Sequence, residues 1–143
     1  MDAFYVVEPE VAGGLGEHAI VDTRVHPPLI SRLHYRFDGW LGDHIVALFH
    51  AFMITEDLAA KIQSAGLTGF ELADAEVSVS EEFQDFHPDF ELPLFRWLKP
   101  TGVAGRDDFG LGSDHRLVVS KKALDLISSP KPRALDVYPY EGI

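Results

Sequence analysis

His44-Ile45-Val46-Ala47-Leu48-Phe49-His50-Ala51-Phe52-Met53-Ile54 runs without a break into Thr55-Glu56-Asp57-Leu58-Ala59-Ala60-Lys61-Ile62-Gln63-Ser64-Ala65-Gly66, and the junction between the two decides the fold. A nearly continuous apolar run has no polar face to offer water, so it belongs in an interior. Periodicity alone leaves it either as one buried strand or as a short helix capped by Asp43 and reaching Phe49, then a strand over Ala51 to Ile54. The helix-then-strand reading is our expectation. Thr55 has the hydroxyl of an N-cap, and Glu56 and Asp57 sit where the helix dipole favours negative charge. Leu58, Ile62 and Ala65 share one face, Lys61 lies near the negative end, and Gly66 supplies the stop, which predicts a helix from Thr55 to about Ala65. His50, inside the apolar run, is expected to be a buried, hydrogen-bonded core residue.

Working outward, Ala3 to Val7 predicts a first strand closed by Pro9. Gly13-Gly14-Leu15-Gly16 is expected to be a loop; it lacks the third glycine and the following helix of a dinucleotide-binding fingerprint. Leu33, Tyr35 and Phe37 alternate with His34 and Arg36, predicting a half-buried strand over Arg32 to Phe37 before the Asp38-Gly39 turn. Phe70 to Val79 is expected as one strand whose phase changes: Phe70 and Leu72 share one side, Ala73, Ala75, Val77 and Val79 the other, with a bulge near Leu72 to reconcile them. Ser80 caps a short helix carrying Glu81 and Glu82, which Pro88 stops. Leu94 to Leu98 is the next strand, ended by Pro100, and Thr101 to Asp114 is a long glycine-rich connection.

A shift of sixty-five residues lays His50 to Thr55 over His115 to Ser120, Ile62 over Ile127 and Phe70-Glu71-Leu72 over Leu135-Asp136-Val137. Each copy reads strand, hydroxyl cap, helix, strand, which predicts two similar units sharing one sheet, with His50 and His115 entering equivalent strands. The second helix, near 120 to 128, opens with Lys121-Lys122, against the usual preference for acids at that end. Together these elements predict an α+β fold: a mixed, largely antiparallel sheet with two or three flanking helices and a possible strand-helix-strand pseudo-repeat, in one acidic domain over residues 1–143.

Composition narrows the function. The 143 residues carry 23 acids against 12 bases, a formal net charge of −11, which opposes binding to nucleic-acid phosphates. Cysteine is absent, so disulfides, thiolate metal sites and cysteine nucleophiles are excluded. Met1-Asp2-Ala3 lacks the basic segment of a signal peptide, and the longest apolar run is too short to span a bilayer, so a soluble cytoplasmic location is expected and no membrane partner. Ser113, Asp114 and His115 have the residue types of a nucleophilic triad, but consecutive residues cannot adopt its geometry, and no Gly-x-Ser-x-Gly elbow or His-Glu-x-x-His spacing occurs.

The strongest functional signal is electrostatic. Between Lys61 and Arg96 lie thirty-four residues without Lys or Arg, holding Glu71, Asp74, Glu76, Glu81, Glu82, Asp85, Asp89 and Glu91. Such a segment attracts a basic partner. The expected partner-binding residues are Glu81, Glu82, Asp85, His87, Asp89 and Glu91, with Arg106, Asp107 and Asp108 of the long connection at the rim. Phe83, Phe86 and Phe90 between the acids are expected to anchor the loop in the core. No cofactor and no metal is expected: Pro88 breaks the alternation of Asp85, His87, Asp89 and Glu91 that a strand-borne metal site would need. The alternative reading is a metal-assisted or carboxylate hydrolase using His87, Asp89, Asp107, Asp108 or His115; it requires those side chains to converge in one pocket. A structural homodimer through an exposed sheet edge is a third possibility.

Phe52-Met53-Ile54-Thr55-Glu56-Asp57-Leu58, Gly66-Leu67-Thr68-Gly69-Phe70-Glu71, Glu91-Leu92-Pro93 with Phe95-Arg96-Trp97-Leu98, and Asp107-Asp108-Phe109-Gly110 before Leu117-Val118-Val119-Ser120 resemble a group of small, largely uncharacterised bacterial proteins in the style of immunity proteins encoded beside polymorphic toxins. The likeness spans roughly residues 40 to 127 and lies in strand cores, caps and turns. It implies a non-enzymatic, toxin-neutralising binding protein and carries over no catalytic motif.

Overall fold

The computed structural model describes residues 3–48, 51–129 and 131–142. In chain order it shows β1 (Phe4–Glu8), β2 (Glu10–Val11), β3 (Gly13–Leu15), β4 (Ile20–Asp22), β5 (Leu29–Arg32) and β6 (His34–Phe37). The deciding run forms β7 (Ile45–Leu48) and β8 (Ala51–Thr55), which lead into α1 (Glu56–Ser64). Then come β9 (Phe70–Ala73), β10 (Glu76–Val79), α2 (Glu81–Phe86), β11 (Phe95–Pro100), β12 (Phe109–Leu111), β13 (Leu117–Ser120), α3 (Lys121–Ile127) and β14 (Asp136–Pro139). The fold is α+β, and its strands pair antiparallel except at β2 with β7 and β10 with β6.

A central sheet, ordered β2-β7-β8-β11-β9, is buried on both faces. Side chains alternate across a strand, so Ile45, Ala47, Phe52, Ile54 and Leu98 enter one core while Val46, Leu48, Ala51, Met53, Phe95 and Trp97 enter the other. The first core is closed by α1, α3 and the sheet β12-β13-β1-β14, through Leu58, Ile62, Ala123, Ile127, Val7, Leu117 and Val119. The second is closed by the sheet β10-β6-β3 and by α2, through Leu33, Tyr35, Phe37 and Phe83. Among the described residues no helix is long and apolar enough to cross a membrane.

This double burial is why the expected helix from Asp43 to Phe49 is not formed. Ile45 to Leu48 pairs antiparallel with Ala51 to Ile54, so a run apolar on every side becomes two strands of a covered sheet. Asp43 is no cap: its buried carboxylate accepts the Arg133 and Ala134 N–H groups at 2.7 and 2.8 Å, pinning the C-terminal segment to the base of β7. The expectation for His50 falls outside the described residues. Gly13 to Gly16 is not simply a loop either, because Gly13 to Leu15 pairs with β6. A Cβ at Gly13 would run into the Arg36 carbonyl, so only glycine lets this strand lie so close.

The phase change over Phe70 to Val79 marks a change of sheet and not a bulge: β9 belongs to the central sheet and β10 to the β6 sheet, the chain crossing between them at Asp74 and Ala75. The expected first strand, capped helices and β11 are present, while the long connection after Thr101 contains the unforeseen β12.

The internal echo is present in the topology. In β8-α1-β9 the two strands lie on either side of antiparallel β11, and in β13-α3-β14 they lie on either side of antiparallel β1. Thr55 and Ser120 cap the two helices alike, accepting from Leu58 N and Ala123 N. The units do not share one sheet, as expected from sequence, but pack helix to helix from separate sheets around one core. His115 lies outside the second unit's strand, in the turn before β13, with φ of 65°.

Tyr35 ties the layers together. Fully buried, its hydroxyl accepts from Ala12 N–H at 2.9 Å and donates to the Ala47 carbonyl at 2.8 Å, and burial pushes its pKa up to about 12. Tyr35→Phe leaves a buried donor and a buried acceptor without this partner, and is expected to lower the unfolding free energy by about 2–4 kcal/mol in urea titration.

Candidate binding surface

The segment from Ser80 to Leu94 forms an arm on the outside of the second core. Ser80 Oγ accepts the Phe83 N–H at 3.1 Å, which starts α2, and Phe83 is the one buried residue of that helix. An aromatic chain continues inward: the Phe83 ring is 5.9 Å from Phe90, Phe90 is 6.1 Å from Trp40, Trp40 is 5.8 Å from Phe95 and Phe95 is 5.0 Å from Phe37. These spacings suit tilted and edge-to-face ring packing, so the arm is held by rings and not by charge.

Glu81, Glu82, Asp85, His87, Asp89 and Glu91 are all exposed on this arm. The ion pairs found among the described residues lie elsewhere, so no cation answers these five carboxylates. The acidic stretch is not uniform. Glu76 is bonded to His18 and Arg32, which hold it below the usual carboxylate range, the His18 hydrogen bond being the larger cause. Asp74 lies 3.9 Å from the Arg96 guanidinium. What remains as an unanswered negative field on α2 and the loop after it is Glu81 to Glu91.

Apolar groups missed at the sequence level stand among those acids. Phe86 is 79 % exposed, Leu94 76 % and Phe90 48 %. The expectation that all three phenylalanines anchor the core therefore holds for Phe83 and fails for Phe86. Residues three apart on a helix share a face, so sequence spacing let both rings point inward; but Phe86 is the last residue of α2, and the core covers Phe83 alone.

Arg106, Asp107 and Asp108 belong to a different region. Asp107 accepts the Val103 N–H at 2.7 Å; Asp108 accepts the Thr68 N–H at 2.9 Å and the Ser120 hydroxyl at 2.6 Å. Both aspartates thus brace the loops around the first core, and Asp108 supports the very serine that caps α3. Exposed Arg106 lies beside Tyr5, Lys121 and Lys122 around a pocket of about 510 Å³. Lys121 bonds Asp125 at 2.6 Å, one turn along the helix, which answers one of the two misplaced cations locally.

Among the described residues, His87, Asp89, Asp107, Asp108 and His115 form no group of three close enough to hold an ion. His115 instead lines an open, largely apolar cleft of about 790 Å³ with Asp114, Arg116, Glu10, Leu48 and Phe52. Burial, with Asp43 nearby, raises the Glu10 pKa there, partly offset by a bond from the Leu41 N–H.

No protein-family model, curated protein or solved structure matches this chain. Its function must be sought in its own geometry.

Phe83→Ala is expected to cost about 3–5 kcal/mol, whereas Phe86→Ala changes stability by no more than about 0.5 kcal/mol; paired thermal and urea denaturation of the two variants checks the assignment of buried anchor and exposed ring.

Proposed function

We propose that this protein is a non-enzymatic binding module that captures a basic protein partner through the arm of residues 80–94, in the manner of an immunity protein neutralising a toxin domain. One observation carries the reading: exposed Phe86, Phe90 and Leu94 stand among Glu81, Glu82, Asp85, Asp89 and Glu91, none of which is paired with a cation among the described residues. Large apolar side chains on a protruding arm are unfavourable for an isolated chain and useful at an interface core, where aromatic groups are enriched and charges form the rim. The carboxylates steer a cationic surface towards the arm, and the apolar groups supply the contact that holds it. Among the described residues the candidate hydrolase side chains form no group of three able to hold an ion, which fits the same reading.

Two variants separate steering from holding. Replacing Glu81, Glu82, Asp85, Asp89 and Glu91 together by Gln or Asn is expected to slow association with a captured basic partner and to flatten its salt dependence. Phe86→Ala with Leu94→Ala is expected to leave the on-rate nearly unchanged and to speed dissociation by about tenfold or more, as loss of interface anchors does. Surface-plasmon measurements at low and high ionic strength read both. A wild-type on-rate insensitive to salt, or binding unaffected by either set of changes, rejects the proposal.

A further inference from the structure

On the other side of β6 from the arm's helix, three further side chains meet whose sequence positions gave no sign of it. His18 comes from the turn after β3, His34 opens β6 and Glu76 opens β10, the last two facing each other in the parallel register of those strands. A ring nitrogen of each histidine and a carboxylate oxygen of Glu76 all lie within 4.8 Å of one another. His18 Nδ1 is 2.7 Å from Glu76 Oε2, and His34 Nε2 is 3.6 Å from the same oxygen. Ligand atoms around a tetrahedral zinc ion, each about 2.0–2.1 Å from the metal, stand roughly 3.3 Å apart. The two separations bracket that value.

We propose that His18, His34 and Glu76 form a binding site for a divalent transition-metal ion of the zinc class, with two imidazoles and one carboxylate as ligands. This donor set is borderline-soft and carries a single negative charge, which suits zinc and its neighbours better than calcium or magnesium. The surroundings already orient two of the ligands. Arg32 Nη2 donates to Glu76 Oε1 at 3.1 Å, leaving Oε2 for the metal. Glu17 Oε1 lies 3.8 Å from His18 Nε2, close to where that nitrogen's N–H would point when Nδ1 coordinates. His34 is buried, its ring stacked on His18 with centroids 5.1 Å apart. Gly16 lies against that ring so closely that a Cβ there would collide with it.

The hydrogen bonds also define what must change on binding. The His18 backbone N–H donates to His34 Nδ1 at 3.1 Å, so the His34 proton sits on Nε2 and is donated to Ser78 Oγ at 2.7 Å. That tautomer leaves Nε2 without a lone pair, which rules out Ser78 and His34 as a nucleophile and base in this arrangement. For Nε2 to coordinate, the proton must pass to Nδ1 and the His18 amide must turn away. His18 Nδ1, which donates to Glu76 Oε2, must likewise give up its proton, to Nε2 or to solvent, before it coordinates. The turn around His18 is therefore the part of the chain that shifts when the metal is held.

Calorimetric titration of the chelator-stripped chain with zinc chloride tests the site. Wild-type protein is expected to bind one ion saturably, with a change in the His18 amide resonance. His18→Ala, at a side chain 55 % exposed and so tolerable to the fold, is expected to weaken binding by about tenfold or more, and Glu76→Gln to do the same. Absence of saturable binding to the wild type overturns the assignment. So does equal affinity in wild type and both variants, which would place the ion on other histidines.

Discussion

The structure depends on burying one sheet on both faces, and the Tyr35 hydroxyl is where that constraint is met. Strands β7 and β8 have no solvent face, so each backbone group at their edges must find a partner inside the protein. Ala12 lies between β2, which pairs in the central sheet, and β3, which pairs in the next layer. At that crossing the chain leaves a donor that neither ladder takes up, and Tyr35 accepts it while donating to the Ala47 carbonyl of β7. One side chain thus holds a crossover strand, a central strand and its own strand at fixed separation. Phe37 and Phe95, whose rings lie 5.0 Å apart, then fill the gap that this spacing sets.

Around the opposite face the same problem is solved twice by one device. A strand, a hydroxyl-capped helix and a second strand return to leave a gap that an antiparallel strand fills, β11 in one unit and β1 in the other. Neither helix has enough apolar surface to close a core alone: α1 buries Leu58, Ala59 and Ile62, and α3 buries Ala123 and Ile127. Packed against each other they close it together, which is why the two units face one another from different sheets instead of extending a single one.

Much of this was legible because it is local. Thr55, Ser80 and Ser120 announce helix starts through hydroxyl chemistry that needs only the next three residues, and all three caps are present. The changed phase in Phe70 to Val79 was visible too, but choosing between a bulge and a change of sheet requires knowing what lies on each side, and that information is carried by residues forty positions away. Gly13 misled for a related reason: a glycine that permits flexibility and one that permits close approach look the same until Arg36 is placed beside it. Of the site, the charge was readable and the exposure was not. Phe83 and Phe86 have the same side chain three residues apart, and only the depth of the core beneath α2 separates anchor from exposed ring. His18, His34 and Glu76 lacked any ligand spacing in sequence, since parallel pairing of β6 with β10 is what brings the last two together.

Both proposed sites rest on one short edge strand. β10 is held to β6 by its ladder, by Glu76 N–H to the Leu33 carbonyl at 2.9 Å and by Ser80 N–H to the Phe37 carbonyl at 2.9 Å. The first of those bonds fixes the residue that meets the two histidines; the second fixes the cap of the acidic helix. Edge strands are the least constrained members of a sheet, having a neighbour on one side alone. Here the free side is compensated at each end: His18 and Arg32 grip Glu76 at the start, and Phe83 draws the helix into the aromatic chain at the finish. Five carboxylates that no cation answers among the described residues can therefore project into solvent without loosening the sheet that carries them, because the contacts that hold their backbone are apolar or lie on residues outside the charged set.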